Sequence, residues 1–189
     1  MFGSILKSAN KPKVSVKIQV LATVTAIAAT VAVPQLLHYV GAVSGLGTSL
    51  GEIFLPMHLP IIAVGLLAGP AAGAVAGILG PVVSFALSSM PTAVILPFMM
   101  CELFGYGLCA GLLRNVKMPV LLKVVIIQLA GRILRTLAIV LAVYAFNNTA
   151  LTVASVWMSA EKGLIGIILQ LAIIPLAIYR IERIKKNEQ

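Results

Sequence analysis

The chain has 189 residues, of which 60% are hydrophobic and only 10% charged, with a mean hydropathy of +1.09, whereas soluble domains carry about 25% charged residues. Lipid rather than water is the natural solvent for such a composition. Fourteen basic residues against five acidic ones give a net charge of +9, but the basic residues stand at the ends of apolar runs and not along one solvated face, which excludes nucleic acid as the expected partner. A helix crossing hydrocarbon needs roughly 20 apolar residues, so about six spans fill the chain and leave no room for a second domain. The expected fold is an all-α integral membrane protein, a compact bundle of six transmembrane helices.

The chain opens with a basic segment over residues 1–14 that holds Lys7, Lys11 and Lys13; Lys17 follows at the start of a first apolar run, 15–33. This run superficially suits a signal peptide, but further spans follow at once, so it is expected to stay. Residues 34–52 are rich in Gly and Ser, include His38, Tyr39 and Thr48, and read as a long outer loop, either a lid or binding loop or a passive tether. The second span, 53–69, opens with Phe54-Leu55-Pro56-Met57-His58-Leu59-Pro60. Two prolines there free backbone carbonyls and distort the helix, which membranes tolerate where protein or a watery cavity satisfies the freed groups. That places His58, with Met57 beside it, near a pocket mouth. Gly69-Pro70 divides this span from the third, 71–88; a tight turn or a broken helix in a five-span chain both fit.

Ser88-Ser89-Met90-Pro91-Thr92 make a second outer turn before the fourth span, 93–113, which contains Glu102 and the only cysteines, Cys101 and Cys109. Eight helical residues set those cysteines about 12 Å apart, too far for a disulfide within that helix. The fifth span, 120–146, carries Arg132 and Arg135; the sixth, 161–179, carries a lone amide, Gln170; a basic tail fills 180–189. With six spans, Lys7, Lys11, Lys13, Lys17, Arg114, Lys117, Lys123, Arg180, Arg183, Lys185 and Lys186 fall on one side. Basic residues near span ends mark the cytoplasm, so both termini are expected there, with Lys162 alone at the outer edge.

Charge at the bilayer centre costs about 2.5–3.5 kcal/mol on insertion scales and normally faces a cavity or a partner. At about 1.5 Å per residue, Glu102 lies roughly 13 Å below the outer end of its span and Arg135 about 16 Å below the outer end of its own, so they can meet. Arg132 and Arg135, three residues apart, share a helix face. One carboxylate pairs with only one of them, and which one is open at this point; the other is left for an anionic group. Pairing that merely fixes helix register is the plainer reading. His58 as an interfacial anchor is equally plain, and no clustered set of ligands supports metal or haem binding. Small residues recur at four-residue spacing, as Ala22 and Ala26, Gly73 and Gly77, Gly107 and Gly111, a pattern that lets membrane helices approach closely.

The chain lacks Gly-x-x-x-x-Gly-Lys-Ser/Thr, His-Glu-x-x-His and Gly-x-Ser-x-Gly, the signatures of a nucleotide-binding P-loop, a zinc protease and a serine hydrolase. Any pumping is then driven by another chain or by an ion gradient.

Nearly the whole chain resembles the substrate-binding S components of energy-coupling factor (ECF) transporters, which import vitamins. The resemblance rests on Pro56-Met57-His58-Leu59-Pro60, Gly69-Pro70, Met90-Pro91, Glu102-Leu103-Phe104-Gly105-Tyr106-Gly107, Gly131-Arg132 and Gly166-Ile167-Ile168-Leu169-Gln170, in that order along the spans. It implies a pocket in the outward half and a small-residue contact, matched by Ala22-Thr23-Val24-Thr25-Ala26, with a coupling transmembrane subunit. Ala28 and Ala32 repeat that spacing. Two cytoplasmic ATPases are implied as further partners, and a vitamin or related micronutrient as ligand, in a multi-pass protein of the cell membrane with no cofactor or metal of its own. Substrate contacts are expected from His58, Met57, Glu102, Arg132, Arg135 and Gln170. Surplus positive charge points to a carboxylate vitamin such as pantothenate; cobalamin or another tetrapyrrole fits a large flat face at His58 and Met57. Two competing classes are a self-sufficient secondary transporter or channel using Glu102 and Arg135 as a relay, and a membrane enzyme with Glu102 and His58 as acid and base. The enzyme reading has no nucleophile or metal set beside it.

Overall fold

A computed structural model describes residues 14–47, 49–145 and 163–187. The basic residues Lys7, Lys11, Lys13 and Lys162, the loop residue Thr48 and the expected outer loop 147–160 lie outside the described residues. All secondary structure among the described residues is helical: α1 (Val16–Val43), α2 (Ser49–Phe54), α3 (His58–Ala68), α4 (Pro70–Ser88), α5 (Leu96–Leu113), α6 (Val120–Ala145) and α7 (Leu164–Asn187). Five of them, α1, α4, α5, α6 and α7, are long and apolar enough to cross a membrane, while α3 is apolar but shorter.

Local chemistry sets the helix limits. Ser15 caps α1, its hydroxyl accepting the Ile18 amide at 3.4 Å, so one of the orphan donors of the first turn is satisfied. Expected to stop at residue 33, this helix runs on through Pro34 to Val43. Proline removes a single bond of the ladder, and membrane helices tolerate that where neighbours pack around it; Pro34 is buried. The long outer loop read over 34–52 is therefore mostly helix: α1 runs to Val43 and α2 starts at Ser49, and His38 packs half-buried against Gly51 of α2.

The second crossing is broken. α2 ends at Phe54, the chain passes through Leu55-Pro56-Met57, and α3 starts at His58. Leu55 holds φ +48°, a left-handed conformation that costs a bulky residue of order 1–3 kcal/mol. Gly69, at φ +110°, then supplies the turn into α4, whose first residue is Pro70, a position where the missing N–H costs nothing.

α5 is the hub, packed on α3, α4 and α6, while α1 lies across α3 and α4 and α7 closes against α2, α3 and α6. The glycine pairs noted at four-residue spacing are what bring α4 and α5 together. A Cβ on Gly73 or on Gly107 would run into the backbone of the other, and one on Gly77 would meet the Leu103 backbone. Contact at that range draws on dispersion over whole backbones, the term that membrane helices use in place of hydrophobic drive. On the cytoplasmic side of the expected topology, Lys123 reaches back from α6 to the Arg114 carbonyl at 3.1 Å and ties the short loop after α5. Cys101 and Cys109 are free thiols.

Candidate functional site

The unwound turn before α3, the middles of α5 and α6 and the second turn of α7 converge on one buried polar cluster. Glu102 stands at its centre, 1% exposed. Its Oε2 accepts from Arg135 Nη1 at 2.7 Å and its Oε1 from the Tyr106 hydroxyl at 2.8 Å. Tyr106 is one helical turn from Glu102 on the same face of α5, so the sequence alone puts them in reach. Arg135 comes from α6, and Gly131 one turn earlier permits the approach: a Cβ there would strike the Tyr106 ring.

Arg135 is thus the partner of Glu102, and Arg132 is the arginine left over. Its Nε is buried with no hydrogen-bond partner among the described residues. Glu102 and Arg135 cancel, so Arg132 leaves the cluster with surplus positive charge. Arg132 is half-buried; a cation at membrane depth without a carboxylate is costly, and the guanidinium fork suits a carboxylate or phosphate.

His58 is 1% exposed. Its Nδ1 lies 3.1 Å from the Leu55 carbonyl, and its Nε2 lies 3.7 Å from Glu102 Oε1. The ring leans on Tyr106, with centroids 5.1 Å apart at an interplanar angle of 55°, which fixes its orientation. Burial this deep removes the interfacial-anchor reading and sets His58 inside the bundle instead of at the pocket mouth.

The Leu55 carbonyl also accepts from Gln170 Nε2 at 3.4 Å. Gln170 Oε1 in turn accepts from Gln128 Nε2. Gln170 is 0% exposed and Gln128 is buried too, so the two amides share a hydrogen bond where water does not reach. Together with His58 they hold the freed carbonyl of the broken helix, as backbone polar groups at membrane depth require.

Of the residues singled out in the sequence, His58, Glu102, Arg135 and Gln170 belong to this connected network and Arg132 flanks it. Met57 is elsewhere: it is buried in the apolar core with Ile61, Ile62 and Leu103. Ala22 and Ala26 lie on the far side of α3. They line an apolar groove of about 580 Å³ between α1, α3 and α7, with Ala63, Leu67, Ile174 and Ile178 among the other walls. Gln128 and the Leu55 carbonyl belong to the network without having been singled out. Gln128 was visible by the rule that marks Gln170, an amide inside an apolar run; the carbonyl carries no sequence signal beyond Pro56 and Pro60. No group of three or more His, Cys, Asp and Glu side chains suited to a metal occurs among the described residues.

Comparison with protein-family models, with curated proteins and with solved structures finds no match to this chain. The geometry stands on its own: five apolar membrane-length helices and a short sixth around a buried carboxylate, two arginines, a histidine and a pair of amides.

Proposed function

We propose that the chain is the substrate-capturing S component of an ECF-type importer, binding a vitamin or related micronutrient and delivering it inward with a coupling transmembrane subunit and two cytoplasmic ATPases. In this reading it crosses the cell membrane six times with both termini cytoplasmic. α3 alone rises about 16 Å, short of the roughly 30 Å of hydrocarbon, so the second crossing uses α2, the Leu55-Met57 turn and α3 together. Six crossings would bring the basic residues after α5 and at the end of α7 to one side, in keeping with the positive-inside rule.

The observation that carries the proposal is Arg132, a cation left over beside a balanced Glu102–Arg135 pair with its Nε buried and unpartnered among the described residues. A carboxylate vitamin such as pantothenate suits it. A flat tetrapyrrole suits the site less well, because Met57 is packed in the apolar core and His58 spends Nδ1 on Leu55. Native mass spectrometry of the purified chain tests the binding role: a retained small anion is expected. Uptake assays with and without the coupling module test the partnership, and transport by this chain alone would sink it. Labelling of a cysteine added at either terminus by an impermeant reagent in intact cells would overturn the topology.

One observation favours a second reading, a self-sufficient secondary transporter. His58 Nε2 and Glu102 Oε1, 3.7 Å apart and both buried, are the kind of intramembrane pair that serves as a proton relay. Proteoliposomes holding only this chain separate the two: a proton gradient drives uptake in the second reading and does nothing in the first.

A further inference from the structure

The Leu55 carbonyl fixes the direction of every hydrogen bond that leads away from it, because a carbonyl only accepts. His58 Nδ1 lies 3.1 Å from it, so Nδ1 carries the hydrogen. Gln170 approaches it with Nε2, which turns Gln170 Oε1 toward Gln128 and makes Gln128 give its amide nitrogen. The far end of each chain is then an acceptor: Nε2 in neutral His58, and Oε1 in Gln128. Both atoms are buried and neither has a hydrogen-bond partner among the described residues.

Glu102 cannot supply what His58 Nε2 lacks. Its two oxygens already accept from Tyr106 and Arg135, and an ionised carboxylate has no proton to give. At 3.7 Å from Oε1, Nε2 is beyond hydrogen-bond range. With a neutral ring, two electron-rich atoms face each other at the buried centre of the bundle, where an unmade hydrogen bond is expensive. Arg132, a few residues along α6 from Gln128, presents the opposite deficiency, a donor without an acceptor.

We propose that the ligand of this site carries a hydrogen-bond donor, a hydroxyl or an N–H, for His58 Nε2 together with an anionic group for Arg132, so that hydroxylated or amide-bearing carboxylates are selected over plain ones. This rests on the binding role proposed above and adds the class of molecule. Neutral His58 with a bare Nε2 is its structural requirement. The rival arrangement is a doubly protonated His58 closing on Glu102 as an ion pair, which demands no donor from the ligand.

The test begins with the full chain in lipid nanodiscs, labelled with ¹⁵N-histidine. The chain has two histidines, so His38→Asn leaves the signal of His58 alone. One protonated and one bare ring nitrogen, unchanged by Glu102→Gln, is the expected result; two protonated nitrogens, or a proton on Nε2 only, overturn the inference and leave the binding role standing. Binding is then measured for small carboxylates in matched pairs, each pair differing by one hydroxyl or amide N–H. Donor-bearing members are expected to bind at least about tenfold more tightly, the discrimination that an unmade buried hydrogen bond produces, and His58→Phe is expected to erase the difference. Equal affinity within the pairs, or preference for the donor-free members, overturns the inference. Binding of no carboxylate with the expected tautomer in place overturns the binding role itself, and the inference with it.

Discussion

The two faces of α3 are built for opposite purposes from neighbouring residues. One face turns His58 toward Glu102 and Tyr106 in a network held by directional hydrogen bonds, with His58 Nε2 left open. The other presents Leu59, Ala63 and Leu67 to an apolar groove closed by α1 and α7. Order on the first face comes from directional bonds, which tolerate few substitutions; the second has only shape. An 11-residue helix separates them, so chemistry on one side and contact on the other can be altered independently. In the proposed function that separation divides capture of the ligand from coupling to the partner.

The sharpest way to break the comparison is to strip the polar face of its centre. Glu102→Ala leaves the half-buried Arg135 without its carboxylate, and removal of one partner of a fully buried pair costs about 3–5 kcal/mol, an upper bound here. A large fall in the thermal unfolding midpoint of the detergent-solubilised protein is expected, and a wild-type midpoint would mean that Arg135 reaches solvent. Arg132→Ala removes the unpaired cation and leaves the pair alone. Its unfolding midpoint is expected to hold or rise. Ligand affinity is expected to fall about tenfold to a hundredfold, from the roughly 1.5–3 kcal/mol of a charged hydrogen bond, as read by titration with the molecule that native mass spectrometry identifies. Gly131→Val sits between these effects in kind. Its side chain meets the Tyr106 ring and wedges α6 from α5, an overpacking of about 1–3 kcal/mol, with a lowered midpoint as the readout.

The sequence disclosed these faces unevenly, for physical reasons. Long apolar runs fix the position of α4, α5 and α6 to within a few residues, because hydropathy reports the solvent directly. A carboxylate and two arginines inside those runs announce a site, since charge in hydrocarbon needs a partner. Pro34 was misleading: read as punctuation, it lies within a helix whose apolar character continues through Leu36, Leu37 and Val40. Which arginine meets Glu102 depends on the rotation of α6 against α5, and spacing along one helix does not determine that. The Gln128–Gln170 bond joins residues 42 apart, and Gln170 meets the Leu55 carbonyl across 115. Such contacts follow from the packed fold, and a local pattern cannot hold them. Nor does anything local announce the left-handed Leu55, which is sustained by the three donors gathered on its turn: the His58 amide, His58 Nδ1 and Gln170 Nε2.

The smallest expected effect on binding is the most telling about α3. Ala22 is half-buried on α1 and lines the groove, so Ala22→Trp places a large ring in space that no polar residue of the site shares. The groove walls are apolar and the indole is at home there, with room of about 580 Å³ to receive it. Ligand affinity of the isolated chain is therefore expected to stay within about twofold of wild type, inside the range of a surface change of a few tenths of a kcal/mol. In the proposed function, uptake is expected to collapse, because the ring occupies the surface against which a coupling subunit would close. Loss of affinity equal to that of Arg132→Ala would mean that α3 transmits groove packing to His58 and that the two faces act as one element. Retained uptake would move the partner contact away from α1 while leaving the polar face, and the ligand chemistry argued from it, as described.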